Sequence, residues 1–126
     1  MKRPGGQSQF SAHLAAQTSE RSSVRNVQDY VLANLKDDLS IPVLASRAGM
    51  SERNFARIFR SETATTPAGF VESARIDAAR RLAEESDMPA KRLAAAVGYA
   101  HVDGFRRAFC RRLGVSLVEY RKRFAG

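Results

Sequence analysis

The chain has 126 residues, 44% of them hydrophobic and 27% charged, which suits one compact domain with a core and is too short for two ordinary ones. A single cysteine, Cys110, and two separated histidines, His13 and His101, exclude a disulfide framework and a multi-cysteine zinc site, so neither a metal nor another cofactor is expected. With no run of membrane-spanning length and no signal-peptide pattern, no membrane association is expected and the default compartment is the cytoplasm. The net charge of +8 comes from 17 Arg and only 4 Lys against 13 acids, and Arg is the side chain suited to bidentate contact with phosphate and guanine. Most of the excess lies late. Residues 1–40 carry a net +1, residues 41–126 a net +7, and between Arg106 and Arg123 seven cations face only Glu119.

The first 23 residues are rich in Gly, Ser and Gln, show no sustained helical period, and read as a flexible leader or interdomain linker. From Val24 the apolar positions Val24, Val27, Val31 and Leu35, with Tyr30 beside them, recur at three- and four-residue steps and predict an amphipathic helix. Ser40 can cap the next helix, carrying Leu44, Ala45 and Ala48, with Pro42 tolerated in its first turn and Gly49 ending it. Ser51 can cap another, which would bury Phe55, Ile58 and Phe59. Thr66-Pro67 opens a longer helix to about residue 85, with Phe70, Ala74, Ala78 and Leu82 on one face. Pro89 opens a short helix with Leu93, Ala94 and Val97, stopped by Gly98. A basic helix with Phe105 and Phe109 runs to about Gly114, and Ser116-Leu117-Val118-Glu119 is a capping-box pattern for a last one. No segment alternates long enough for a strand. The expected class is all-α.

The strongest pattern is an internal repeat. Leu44, Ala45 and Gly49 recur as Leu93, Ala94 and Gly98, 49 residues on; Phe55, Arg57 and Phe59 recur as Phe105, Arg107 and Phe109, 50 residues on. Beyond them Ala64-Thr65-Thr66 corresponds to Gly114-Val115-Ser116, and Phe70 to Tyr120. The repeated unit is a helix, a glycine turn, and a second helix with two buried Phe one turn apart. That is a rigid helical corner whose second helix keeps one face free.

With the Phe positions turned inward, Glu52, Arg53, Ala56, Arg57 and Arg60 face out of the first unit. Val102, Asp103, Arg106, Arg107 and Arg111 face out of the second. A helix of this width fits a DNA major groove, where Arg reads guanine and short residues let the backbone approach. A solvated helix with incidental arginines accounts for either segment alone; the pair at matching repeat positions is harder to explain that way.

Residues 24–126 resemble the DNA-binding domain of AraC/XylS-type bacterial transcription regulators. The residues carrying the match are Leu44-Ala45-Ser46-Arg47-Ala48-Gly49-Met50-Ser51, Phe55-Ala56-Arg57-Ile58-Phe59-Arg60, Gly98-Tyr99, Phe105-Arg106-Arg107-Ala108-Phe109, Leu113-Gly114-Val115-Ser116 and Tyr120-Arg121. The resemblance implies about seven helices: helix-turn-helix subdomains at about 41–61 and 89–113, joined by a linker helix at about 67–85. It implies sequence-specific binding of double-stranded DNA near the nucleoid, with RNA polymerase as protein partner. It also implies that Arg53, Ala56 and Arg57, then Val102, Asp103, Arg106 and Arg107, occupy base-reading positions. The full candidate DNA-binding set adds Ser51, Arg60, His101 and Arg111. The segment Arg3-Pro4-Gly5-Gly6-Gln7-Ser8-Gln9-Phe10 is similar to the interdomain segment of a subgroup whose N-terminal domain resembles class I glutamine amidotransferases. On that resemblance the chain is the C-terminal part of a longer protein, with Met1 an added start residue. The fragment is then expected to be monomeric, any dimerisation residing in the N-terminal domain.

The sequence departs from the family pattern at Leu117, where Pro is common, and at His101, where a small hydroxylated cap residue is usual. Cys110 is expected to be a small, half-buried residue beside Phe109. Ser22, Ser23 and Ser46 have no base nearby in sequence, so no catalytic nucleophile is expected and the chain is not read as an enzyme. The competing reading is a helical protein-interaction module whose basic face meets an acidic partner.

Overall fold

Ser40, Ser51, Thr66, Pro89 and Ser116 each stand at the start of a helix, and left-handed residues at Gly49, Ala64, Gly98 and Gly114 follow the ends of four helices. The computed structural model describes the backbone of residues 5–125 and the side-chain surroundings of residues 12 and 14–124. Among the described residues the elements are α1 Gly5–Ala33, α2 Ile41–Arg47, α3 Glu52–Thr63, α4 Pro67–Glu85, α5 Ala90–Ala96, α6 Val102–Leu113 and α7 Leu117–Ala125, with no strand. The class is all-α, as the sequence periodicity requires. Ser51, Thr66 and Ser116 each accept, at their hydroxyl, the backbone N–H three residues on, at 3.2, 3.0 and 3.1 Å. Ser40 sits at the N-cap of α2, but its hydroxyl makes no capping bond; its own N–H donates to Asp38 Oδ1 at 3.0 Å instead.

Two cores form, one for each repeat unit. The first gathers Val24, Val27 and Val31 of α1, Leu44 of α2, Phe55, Ile58 and Phe59 of α3, and Val71 of α4. The second gathers Ile76, Ala79 and Ala83 of α4, Leu93 and Val97, Phe105 and Phe109 of α6, and Tyr120 of α7. The repeat reaches the aromatic packing. Phe55, Phe59 and Phe70 stand 5.6 and 5.7 Å apart by ring centroid, and Phe105, Phe109 and Tyr120 stand 5.8 and 5.7 Å apart.

The structure corrects the sequence reading in two places here. Residues from Gly5 onward, expected as a flexible leader, continue without a break into the valine-bearing part of α1. After Gly6 no Gly or Pro interrupts the chain until Pro42, and Ala12, Ala15 and Ala16 are strong helix formers, so propensity extends a helix that packing starts further on. From Leu14 to Ser23 this extension lies mostly exposed, and Arg21 Nε stands 3.6 Å from Glu62 Oε1 of α3. Met1 to Pro4, including the first two residues of the amidotransferase-subgroup segment, lie outside the described residues. The second correction concerns α4. Its expected inward face, Phe70, Ala74, Ala78 and Leu82, is only half-buried, whereas Val71, Ile76, Ala79 and Ala83 are buried. A helix shared by two cores needs an apolar band on two sides, and the first half of α4 turns to one core, the second half to the other.

Candidate nucleic-acid interface

The free faces of α3 and α6 follow from what each helix buries. In α3 the burial of Phe55, Ile58 and Phe59 leaves Ser51, Glu52, Arg53, Ala56, Arg57 and Arg60 exposed. In α6 the burial of Phe105, Ala108 and Phe109 leaves His101, Asp103, Arg106, Arg107, Cys110 and Arg111 exposed. From residue 53 to 60 and from 103 to 110 the pattern of burial is the same at every position. Both helices have twelve residues, roughly 18 Å each at the standard rise.

Within that shared frame the two faces differ. Ser51 caps α3, and Arg57 Nη2 donates to Asn54 Oδ1 at 2.6 Å, which holds the guanidinium along the helix surface. His101 takes the extended N-cap backbone of α6 without a side-chain capping bond. The acidic Asp103 in the first turn meets the positive end of the helix dipole in its place. Val102, expected to face out, is half-buried against the second core, because the first turn of α6 leans on that core. Cys110, expected half-buried, is exposed: it takes the outward place that Arg60 holds in α3.

Arg111 is exposed but engaged. Its guanidinium forms an ion pair with Glu72 of α4, and Arg112 Nε meets the same carboxylate at 2.8 Å. Arg112 Nη2 also donates to the Gly69 carbonyl at 3.0 Å. The hydrogen bond from Arg111, aided by Arg112, holds the Glu72 carboxyl below its ordinary value despite partial burial. Higher on α4, Arg75 Nε and Nη2 donate to the carbonyls of Leu35 and Asp37 at 3.0 and 3.1 Å. The Arg75 guanidinium lies 5.7 Å from the centre of the Tyr99 ring. Desolvation lowers the Arg75 pKa and raises that of Tyr99, as expected where two half-buried groups share a seam. The neighbouring Gly98, at φ +102°, approaches so closely that a Cβ there would stand 2.0 Å from the Leu35 carbonyl oxygen.

Sequence reasoning missed Glu72, Arg75 and Arg112 altogether. Glu72 and Arg75 carry no local signal, since their partners lie 38 to 40 residues away. The Asn54–Arg57 pair could have been found from its i, i+3 spacing.

A helix-turn-helix domain model matches residues 44–123. An HTH-type transcriptional regulator of Mycobacterium tuberculosis is 44% identical over 82 residues, covering 65% of this chain and 32% of that protein. The transcriptional activator NphR of a Rhodococcus species is 33% identical over 115 residues, covering 90% of this chain and 34% of its own. The chain thus spans about a third of the length of these curated relatives. Among solved structures, the DNA-binding domain of the global transcriptional factor AdpA, in complex with a target DNA, superposes with a TM-score of 0.76 at 34% identity. That match covers 80% of this chain and 91% of the other. The C-terminal domain of AraT, a response regulator from Geobacillus stearothermophilus, gives a TM-score of 0.76 at 25% identity over 79% of this chain and 84% of its own. Two helical corners in tandem, one shared linker helix and a family match over most of both corners lead to one assignment: the chain belongs to the AraC-type helix-turn-helix domain family of transcription regulators.

Proposed function

We propose that this chain binds double-stranded DNA sequence-specifically in bacterial transcription regulation, placing α3 and α6 in successive major grooves. The observation that carries the reading is the matched burial of α3 and α6, which presents Arg53, Arg57 and Arg60 on one helix and Arg106 and Arg107 on the other. The base-reading set is Arg53, Ala56 and Arg57 with Asp103, Arg106 and Arg107, with Ser51, Arg60 and His101 on the phosphate side; Val102 contributes only its exposed part, and Arg111, counted in the set from sequence, is instead engaged by Glu72. Arg fits guanine, Ala allows close approach, and Asp103 can accept from cytosine. AdpA, whose DNA-binding domain shares the fold, is described in complex with a target DNA.

The chain spans about a third of the length of its curated relatives, so the reading of its own residues is confined to DNA binding. The proposal also carries an N-terminal domain of the class I glutamine amidotransferase-like type, RNA polymerase as protein partner, a cytoplasmic location at the nucleoid, a non-enzymatic role and a monomeric fragment. Among the described residues no helix is long and apolar enough to cross a membrane. In vitro selection from random duplexes tests the central claim. Selection of one sequence, with binding that weakens steeply between low and moderate salt, is the expected result. Flat salt dependence and no enriched sequence would overturn it in favour of an acidic protein partner.

A further inference from the structure

Glu72 joins the linker helix to the reading helix of the second corner. The ion pairs Arg80–Asp77, Arg80–Glu84 and Arg81–Asp77 all lie within α4, whereas Glu72 reaches across 39 and 40 residues to Arg111 and Arg112 of α6. The Glu72 side chain is 23% exposed and that of Arg112 37%, so this arm of the clamp is partly shielded from water, while Arg111 at 59% is open to it. With Arg112 also bonded to the Gly69 carbonyl, the C-terminal end of α6 is tied at several points to the first turns of α4.

We propose that Glu72 is a specificity-determining positioning residue, which withdraws Arg111 and Arg112 from phosphate contact and sets the angle of α6 against α4. The inference rests on the duplex-DNA reading above. Sequence-independent affinity grows with every phosphate a cation neutralises, so two arginines left free on a reading helix would strengthen binding to any duplex. A carboxylate that engages both removes them from that pool while Arg106 and Arg107 keep their exposed reading positions. A phosphate contact adds to binding on every duplex, so this withdrawal lowers affinity throughout, and the discrimination comes from the angle at which the clamp holds α6. The same clamp holds the second reading helix at one angle to the first, so one spacing between half-sites is preferred.

The test compares wild type with Glu72→Gln on the selected duplex, on a random duplex, and on selected duplexes with one or two base pairs inserted between the half-sites. In a folded Glu72→Gln chain, random-duplex affinity at low salt should rise about tenfold and the salt slope should steepen by about 1 to 2. The loss on insertion should also shrink. An unchanged slope and unchanged spacing preference would overturn the proposal. Arg111→Ala decides the matter if Glu72→Gln does not fold. With Arg111 already engaged by Glu72, the random-duplex slope should stay at the wild-type value; a fall of about 0.9 would show that Arg111 contacts phosphate and would overturn the proposal. Failure of wild type to show salt-dependent duplex binding would instead sink the underlying function.

Discussion

Arg57 and Arg107 occupy equivalent places in the repeat, exposed one turn-face away from a buried pair of Phe rings. Arg57 is held along α3 by Asn54, and Arg107 projects from the matching place in α6. Replacing either by Ala should cost roughly 1–3 kcal/mol on the selected duplex and relax base preference in one half-site only. Arg123→Ala, in the basic tail, should weaken all duplexes about equally. Selection repeated with each variant checks this; unchanged base preferences in both helix variants would show the reading face to be misassigned. Cys110 supplies a probe of the same surface. Being exposed on the outward side of α6, it should react with a thiol reagent in the folded chain, and bound duplex should slow that reaction.

At the level of the helix, the two corners differ at their ends in ways that stability measurements can read. Ser51 caps α3 and His101 leaves α6 uncapped, although its backbone has the extended shape a cap needs. His101→Ser should therefore stabilise the chain by about 0.5–1 kcal/mol, and Ser51→Ala should destabilise it by about 1 kcal/mol, both read from urea unfolding. The C-terminal ends show the reverse asymmetry. Ala64 closes α3 at φ 62° where Gly114 closes α6 at φ 77°, so the first corner carries a left-handed strain that the second avoids. Such a conformation costs an L-residue roughly 1–2 kcal/mol, and Ala64→Gly should recover up to about 1 kcal/mol after the added freedom of the unfolded chain is counted. Phe59→Ala and Phe109→Ala, at fully buried rings, should each cost about 3–5 kcal/mol and abolish tight binding with their own corner.

For the molecule as a whole, what matters is that the corners meet as one body. Gly98 is the sharpest test of that contact. A Cβ there would collide with the Leu35 carbonyl oxygen at 2.0 Å and crowd Arg75 Nε at 2.8 Å, whereas a Cβ on Gly49 would meet nothing within 4 Å. Gly49→Ala should cost only its backbone strain, about 1–2 kcal/mol, while Gly98→Ala should cost on the order of 3 kcal/mol or more. Thermal melting of the two variants side by side reads the difference; equal losses would deny the close approach. The Glu72 clamp adds a pH signature. Its carboxyl is held below the ordinary value of 4.5 by Arg111 first, so its contribution is complete above that pH and disappears as pH falls through the lowered value. A titration of the Glu72 carboxyl by NMR should show a midpoint below 4.5 that returns toward it in Arg111→Ala. Linker helix α4 spans about 28 Å, near the groove repeat of about 34 Å once the flanking turns are added. One monomer should therefore cover one asymmetric site of about two turns, bending the duplex where the helix falls short. Sedimentation of a one-to-one complex is the expected outcome; a two-to-one complex on a palindromic site would refute it.

Short-range physics made much of this protein legible from its residues. Apolar steps of three and four, hydroxyl caps at Ser51, Thr66 and Ser116, and stops at Gly49, Gly98 and Gly114 specify helices within a few positions of one another. The 50-residue offset between the Phe pairs disclosed the doubled corner and, with it, the outward arginines. The same local logic misjudged α1, where alanine propensity carried a helix beyond any apolar period, and Val102 and Cys110, whose exposure depends on how α6 leans on its core. What only the tertiary structure decided lies between segments some 40 residues or more apart: Glu72 against Arg111 and Arg112, Arg75 against the Leu35 and Asp37 carbonyls, and Gly98 against Leu35. No periodicity encodes these partners. They exist because both cores share α4, and the packing of each corner onto that one helix sets which charges meet and how closely two backbones approach.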